Sequence, residues 1–477
     1  MGQEINLSHF EAGDFERYHR KLRQETELLC KLIEQNACST SRPVAGFEIE
    51  AWLVDREMQP APVNEQFLQA LNDPMASPEL AKFNIELNGP PLLLSGDVLN
   101  QLYKTLQCTW SKAARQAEAM QLHLLMIGTL PTLELAPLNL DNMSNMNRYR
   151  VLNEQILHSR GKPIHLDIVG HEHLKFDHDD VMLESATTSF QIHTQVPLES
   201  AHHYYNASII ASAPMVALCA NAPYLFGKDL WHESRIPLFE QAIETGGYHG
   251  AAQGPLRRVS FGSGYARQSI CECFQENLEH FPILLPEQFT ADIVAFEHLR
   301  LHNGTIWRWN RPLVGFDPDG TPHIRIEHRT PAAGPTIVDT VANAAFYYGL
   351  AKNLCDEIVK RGIKLPFAQA KDNFYQAARF GLDSNIIWFS GEKQRLQDLL
   401  KSELVARAEK GLKSLGVNHA DINDHLDIIK HRIDNKQNGS QWQRQFIQRH
   451  HTDFKTMTRN YWQRQCTDQP VSEWSLS

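Results

Sequence analysis

Two glutamates placed side by side on one face of a strand constrain the fold of this chain more than any other feature. The stretch 46-GFEIEAWLVD-55 alternates with period two. Phe47, Ile49, Ala51 and Leu53 share one face, and Glu48, Glu50, Trp52 and Val54 share the other. Neighbouring carboxylates on one face repel each other unless water or a cation lies between them. Three further segments repeat the pattern. In 83-FNIELN-88, Phe83, Ile85 and Leu87 oppose Asn84, Glu86 and Asn88. In 190-FQIHTQV-196, Phe190, Ile192, Thr194 and Val196 oppose Gln191, His193 and Gln195. In 323-HIRIEHR-329, Ile324 and Ile326 oppose Arg325, Glu327 and Arg329.

An antiparallel sheet with one wet face accounts for each strand alone. Together the four faces carry Glu, Gln, His and Arg and no Lys. If they share one sheet, they form a concave polar surface with acids at one end and arginines at the other. Carboxylates with a Gln or His suit Mg²⁺ or Mn²⁺. Arg308, Arg311, Arg325 and Arg329 lie close together in an otherwise acidic chain and suit phosphate or carboxylate oxygens. Phosphoryl transfer needs little beyond such positioning and charge neutralisation. No G-x-x-x-x-G-K-[ST] occurs, and 262-GSGYAR-267 matches neither that loop nor G-x-G-x-x-G. An ATP user of this kind would hold its phosphates through metals and side chains.

Composition narrows the classes. A net charge of -10 argues against nucleic acid as a partner. The uncharged run from Ile209 to Phe226 is interrupted by Pro214, Asn221 and Pro223, which reads as a buried helix and not a membrane span. The polar N-terminus shows no signal peptide, and the eight cysteines form no Cys-x-x-Cys; they read as reduced thiols in a cytoplasmic protein. Cys271-Glu-Cys273 reads as incidental packing, and 171-HEHLKFDHDD-180 as a solvated loop and not a zinc site. No G-x-S-x-G elbow supports a hydrolase.

Periodicity predicts strands near 44–55, 81–88, 122–128, 163–169, 188–196, 304–309 and 322–328. It predicts helices near 14–35, 96–121, 335–361, 394–414, 420–434 and 441–464. This irregular mixture favours α+β over a doubly wound sheet. The glycine-rich 245–254 is expected to be mobile. The chain divides into an N-terminal helical segment (1–40), a catalytic domain (41–390), a helical extension (391–465) and a disordered tail (466–477).

Several motifs in order carry a resemblance: GFEIEAWLVD, IELNGPPLLLSG (85–96), MIGTLPT (126–132), NMNRYR (145–150), TTSFQIHTQV, ALCANAPYLFGKDLWHESR (217–235), HIRIEHR and DNFYQAARFGLDS (372–384). With these the chain resembles the type-2 glutamate–cysteine ligase family, which includes bacterial carboxylate–amine ligases and is related to the plant glutamate–cysteine ligases. The resemblance implies a glutamine-synthetase-like catalytic domain, a curved antiparallel sheet forming a funnel. It implies that Glu48, Glu50, Glu86 and Gln191 hold Mg²⁺ (or Mn²⁺). It also implies that Glu48, Glu50, Gln191, His193 and Arg325 hold ATP, and that Arg235, Arg325 and Glu327 serve catalysis, Arg235 contacting the acid substrate or phosphate. The implied reaction joins small molecules, glutamate and cysteine, through an acyl-phosphate. Another acid and amine, a binding-only family member, or a phosphotransferase to a guanidino group remain as alternatives. Two departures concern the substrate end: Gln191-Ile192-His193-Thr194 stands where bacterial relatives commonly read His-Val-His-Val, and 302–320 has no clear counterpart.

Overall fold

In the computed structural model, which describes residues 4–7, 9–245 and 257–476, the four alternating segments become neighbouring strands. The main sheet comprises β1 (Val44–Val54), β2 (Ala76–Pro78), β3 (Asn84–Asn88), β4 (Leu92–Leu93), β5 (His123–Leu125), β6 (Phe190–Val196), β7 (Asn310–Phe316) and β8 (Pro322–His328). Its order is β7-β8-β6-β1-β3-β2, every pairing is antiparallel, and β4 and β5 also pair with β1. The sheet curls into a half-barrel, the α+β architecture expected of the motifs.

Helices cover the apolar face. We refer to α1 (Ala12–Glu34), α2 (Asn147–Arg160), α3 (Ala201–Cys219), α4 (Arg235–Ala242), α5 (Cys271–His280), α6 (Glu297–Gly304) and α7 (Ile337–Arg361). The uncharged run falls largely in α3, which is buried on nearly all sides between the sheet and α7. Such a helix needs no polar face. Tyr348 of α7 donates to the carbonyls of Gly46 (3.0 Å) and His193 (3.3 Å), fastening the helix to β1 and β6. No helix among the described residues is long and apolar enough to cross a membrane.

Several expectations are corrected. The strand expected at 304–309 is a helix end and a two-residue bridge; the true strand is β7, inside the unplaced 302–320. Pro312 and Gly315 disguise it, and its place at the sheet edge tolerates a proline without N–H. Ile164–Val169 pairs only with His173–His178 in a separate hairpin, so the supposed loop 171–180 is mostly strand. Its His165–Asp177 and His173–Asp167 pairs are exposed. The helix expected at 441–464 breaks at His451, whose φ is 47°.

The thiols are not all reduced: Cys30 and Cys271 form a disulfide, Cα atoms 5.5 Å apart, because α1 and α5 pack together despite 241 residues of separation. The tail beyond 465 is ordered to Leu476. Val471 and Trp474 are buried, and the Trp474 ring meets Trp442 (5.2 Å) and Tyr461 (5.1 Å) edge-on. All but the first residue of the glycine-rich 245–254 lie outside the described residues.

Candidate active site

Strand register stacks the polar residues in three rungs. The first runs Arg311–Glu327–His193–Gly46 across β7, β8, β6 and β1. The second runs Gln191–Glu48–Asn88, and the third sets Glu50 opposite Glu86 and Ser77. Alternation then puts all of these side chains on the concave face. That face forms the floor of a cavity of about 640 Å³, lined by Glu48, Glu50, Glu86, Gln191, Arg325 and Glu327 among others. Six of the eight residues expected at the site thus share one cavity, and His193 adjoins it. Arg235 does not.

Burial decides the electrostatics. Glu327, 1% exposed, is gripped by Arg311 through two bonds (2.8 and 2.9 Å) and by Arg329 (3.1 Å). Burial alone would raise its carboxyl; Arg311 and Arg329 reverse that and hold it well below the ordinary range. Arg329 also donates to Oε1 of the Gln191 side chain. His193 is buried, and its Nε2 faces Glu48 at 3.5 Å and Glu327 at 3.7 Å without making a hydrogen bond. Burial lowers its ring to about 4, against the pull of those two carboxylates. It is therefore neutral at neutral pH, the form that ligates metals.

Glu48, His193 and Glu327 place ligand atoms within 4.8 Å of one another, the only such group of three His, Cys, Asp or Glu among the described residues. A buried nitrogen without a partner, aimed at two carboxylates, fits a cation better than any protein donor present. This group shares Glu48 with the expected ligand set, whose other members, Glu50, Glu86 and Gln191, line the same cavity. Glu50 accepts bonds from Ser189 N (2.6 Å), Ser189 Oγ (2.8 Å) and Gln191 Nε2 (2.9 Å). Glu86 accepts from Ser77 Oγ (3.2 Å) and Asn88 Nδ2 (2.8 Å).

Sequence reasoning missed part of the acidic end. Glu79 and Glu184 line the same cavity, beside Arg148 and Tyr149. Loss of water contact, with the charge of Glu50 nearby, pushes the Glu184 carboxyl up to about 8, against Arg329 and Arg148. Burial and the charges of Glu86, Glu50 and Glu184 push Glu79 well above its usual range. Glu79 directly follows the three-residue β2, and Glu184 lies in the 3₁₀ segment Val181–Ala186, so neither sits in a periodic element. Arg148 and Tyr149 open α2 and belong to the NMNRYR motif, which was the one available signal.

Of the arginines expected to gather, Arg311, Arg325 and Arg329 reach the cavity. Arg308 does not; it pairs with Glu276 (2.6 Å) and Asn277 (2.6 Å) of α5. Arg325 makes no ion pair or hydrogen bond among the described residues, and its buried Nε is unsatisfied. Arg235 is buried behind the floor, bonded to Glu233 (3.2 Å) and to the Thr330 carbonyl (2.6 Å).

A curled antiparallel sheet carries buried carboxylates and an unpaired arginine in one cavity with a neutral histidine beside it, an arrangement suited to metal and phosphate chemistry. The chain belongs to glutamate–cysteine ligase family 2, whose sequence model matches residues 44–468. Among solved structures it is similar to the glutamate–cysteine ligase of Francisella tularensis in complex with AMP: 13% identity, 91% of this chain and 90% of that one, TM-score 0.58. It is also similar to a bifunctional glutathione synthetase from Pasteurella multocida: 10% identity, TM-score 0.54, covering 89% of this chain and 52% of that longer one. No curated protein is significantly similar in sequence.

Proposed function

We propose that the protein is an ATP- and Mg²⁺-dependent ligase that joins the side-chain carboxylate of glutamate to an amine, with cysteine the leading amine. The observation that carries this reading is the convergence of Glu48, His193 and Glu327 at the edge of a cavity into which an unpaired Arg325 reaches. Family membership and the AMP bound by the Francisella ligase support the nucleotide.

A carboxylate is inert to amines at neutral pH, so the acid must first be activated. Its oxygen attacks the γ-phosphorus of ATP, the β–γ bond breaks, and ADP leaves an acyl-phosphate. The amine then attacks the acyl carbon, phosphate departs, and the amide forms as the nitrogen loses a proton. Glu48, His193 and Glu327 would hold a divalent cation, which supplies neutralisation of phosphate oxygens. Arg325 is aimed into the cavity with its donors unspent and neutralises the transferring phosphoryl group. Arg329, held on Glu327 and Gln191, borders the same region. The walls near Leu301, Leu313 and Val314 are apolar and exclude water.

The test is ADP release from ATP and Mg²⁺ with glutamate, alone and with a panel of amines including cysteine. Release that requires both glutamate and cysteine is the expected result. Release with another amine keeps the chemistry and replaces the substrate. Nucleotide binding without release for any pair would move the protein to a binding role.

A further inference from the structure

Arg235 has no place in the cavity, yet it is among the most completely buried charges in the chain, at 2% exposure. Two of its three bonds point at one turn. Its guanidinium donates to the carbonyl of Thr330 (2.6 Å) and to that of Arg329 (3.4 Å). The third side of the fork meets Glu233 Oε1 at 3.2 Å. Glu233, itself fully buried, is fixed by the Asn221 N–H (3.1 Å) and by its own N–H to the Ala378 carbonyl (2.9 Å). The guanidinium also lies 5.5 Å from the ring of Trp309.

The turn so held leads straight into the site. Arg329 is its first residue, with its N–H on the Trp309 carbonyl (2.9 Å) and its side chain on Glu327 and Gln191. Its later part, Pro331 to Ala333, pairs with the strand entry at Thr188, Ser189 and Phe190. Ser189 in turn supplies two of the three bonds that orient Glu50. One buried arginine thus grips a turn that carries a cavity arginine at one end and abuts the support of a cavity carboxylate at the other.

We infer that Arg235, braced by Glu233, is a positioning residue: it fixes the 329–333 turn and acts on the reaction through Arg329, without touching substrate. The resemblance implied direct contact with the acid substrate or phosphate, and the geometry replaces that role. A planar fork bonded to two carbonyls and a carboxylate holds a turn in a way a lysine cannot, because an ammonium is a point charge without that fork. Loss of the clamp lets the Arg329 guanidinium leave its place on Glu327 and Gln191.

The kinetic part of the test rests on the ligase reading; the structural part does not. Arg235→Lys keeps a buried positive charge opposite Glu233 and should fold. Its expected effect is a fall in kcat of about tenfold or more, with KM for ATP and for the acid nearly unchanged. Combined with Arg329→Lys, it should cost nothing beyond Arg329→Lys alone, since both changes remove one function. A crystal structure of the charge-neutral pair Glu233→Gln with Arg235→Met should show the Arg329 side chain displaced from Glu327. Should the wild-type protein turn over no acid and amine, that crystal structure still decides. Arg329 unmoved in it overturns the inference, as does a raised KM for the acid with kcat intact, or losses that multiply in the double variant.

Discussion

His302 of α6 shows how a single buried ring sets pH behaviour. Its Nε2 lies 2.9 Å from the Asn277 carbonyl, and burial lowers its pKa to about 3. The unfolded ring titrates near 6.5, so between about 6.5 and about 3 the unfolded chain binds a proton that the folded one refuses. The stability is fully present above the upper value and is lost as pH falls through that window. His302→Gln should make the pH dependence of stability shallower by about one proton there, read from denaturant melts at several pH values. At the cavity floor, Glu50→Gln should lower ligase turnover by about a hundredfold or more while leaving the melting temperature within a few degrees, because Ser189 Oγ and Gln191 Nε2 keep their acceptor oxygen and only the bond from the Ser189 N–H, made to the other oxygen, is lost. Single residues were the most legible scale. Glu48, Glu50, Glu86, Gln191 and Glu327 were found because a two-residue period reports which face a side chain takes. Glu79 and Glu184 were not, because loops and 3₁₀ turns carry no such period.

Helix packing is where sequence patterns lose detail. The helix Val405–Leu415 crosses α7 so closely that a Cβ on Gly349 or Gly411 would collide with the backbone of the facing helix. Gly411→Ala should therefore cost about 1–3 kcal/mol, through separation of the two helices, measurable as a lower denaturation midpoint at unchanged slope. Nothing in the spacing of either glycine announces a partner helix. Strands show the same limit. Segments whose two faces differ in residue type, such as β1 and β6, alternate cleanly and were recognised although both faces are largely buried, whereas β7 carries Pro312 and Gly315 at the sheet edge and was not. The α1 to α5 disulfide belongs here too, since the meeting of Cys30 and Cys271 depends on helix contact and not on cysteine spacing.

The whole molecule is closed by its last residues. Asp468 accepts the first N–H groups of α7, from Ile337 (3.0 Å) and Val338 (3.2 Å). The Val471 N–H reaches Asp339 (2.8 Å), which also pairs with buried Arg432 (2.7 Å). Truncation after Gln465 would uncover Trp442 and Tyr461 and strip that helix end. The expected loss is about 3 kcal/mol or more, seen as a markedly lower melting temperature of the shortened chain. By itself the sequence determined the four polar-faced strands, the ligand chemistry they offer and the family whose motif order they follow, because face and residue type are local properties. Only the tertiary structure decided which carboxylates meet. Strand register brought Glu48, His193 and Glu327 together from three strands and left Glu50 and Glu86 bonded to their own neighbours. It also set Arg235 behind the floor, since depth beneath a sheet follows from how distant segments pack and leaves no period in the chain.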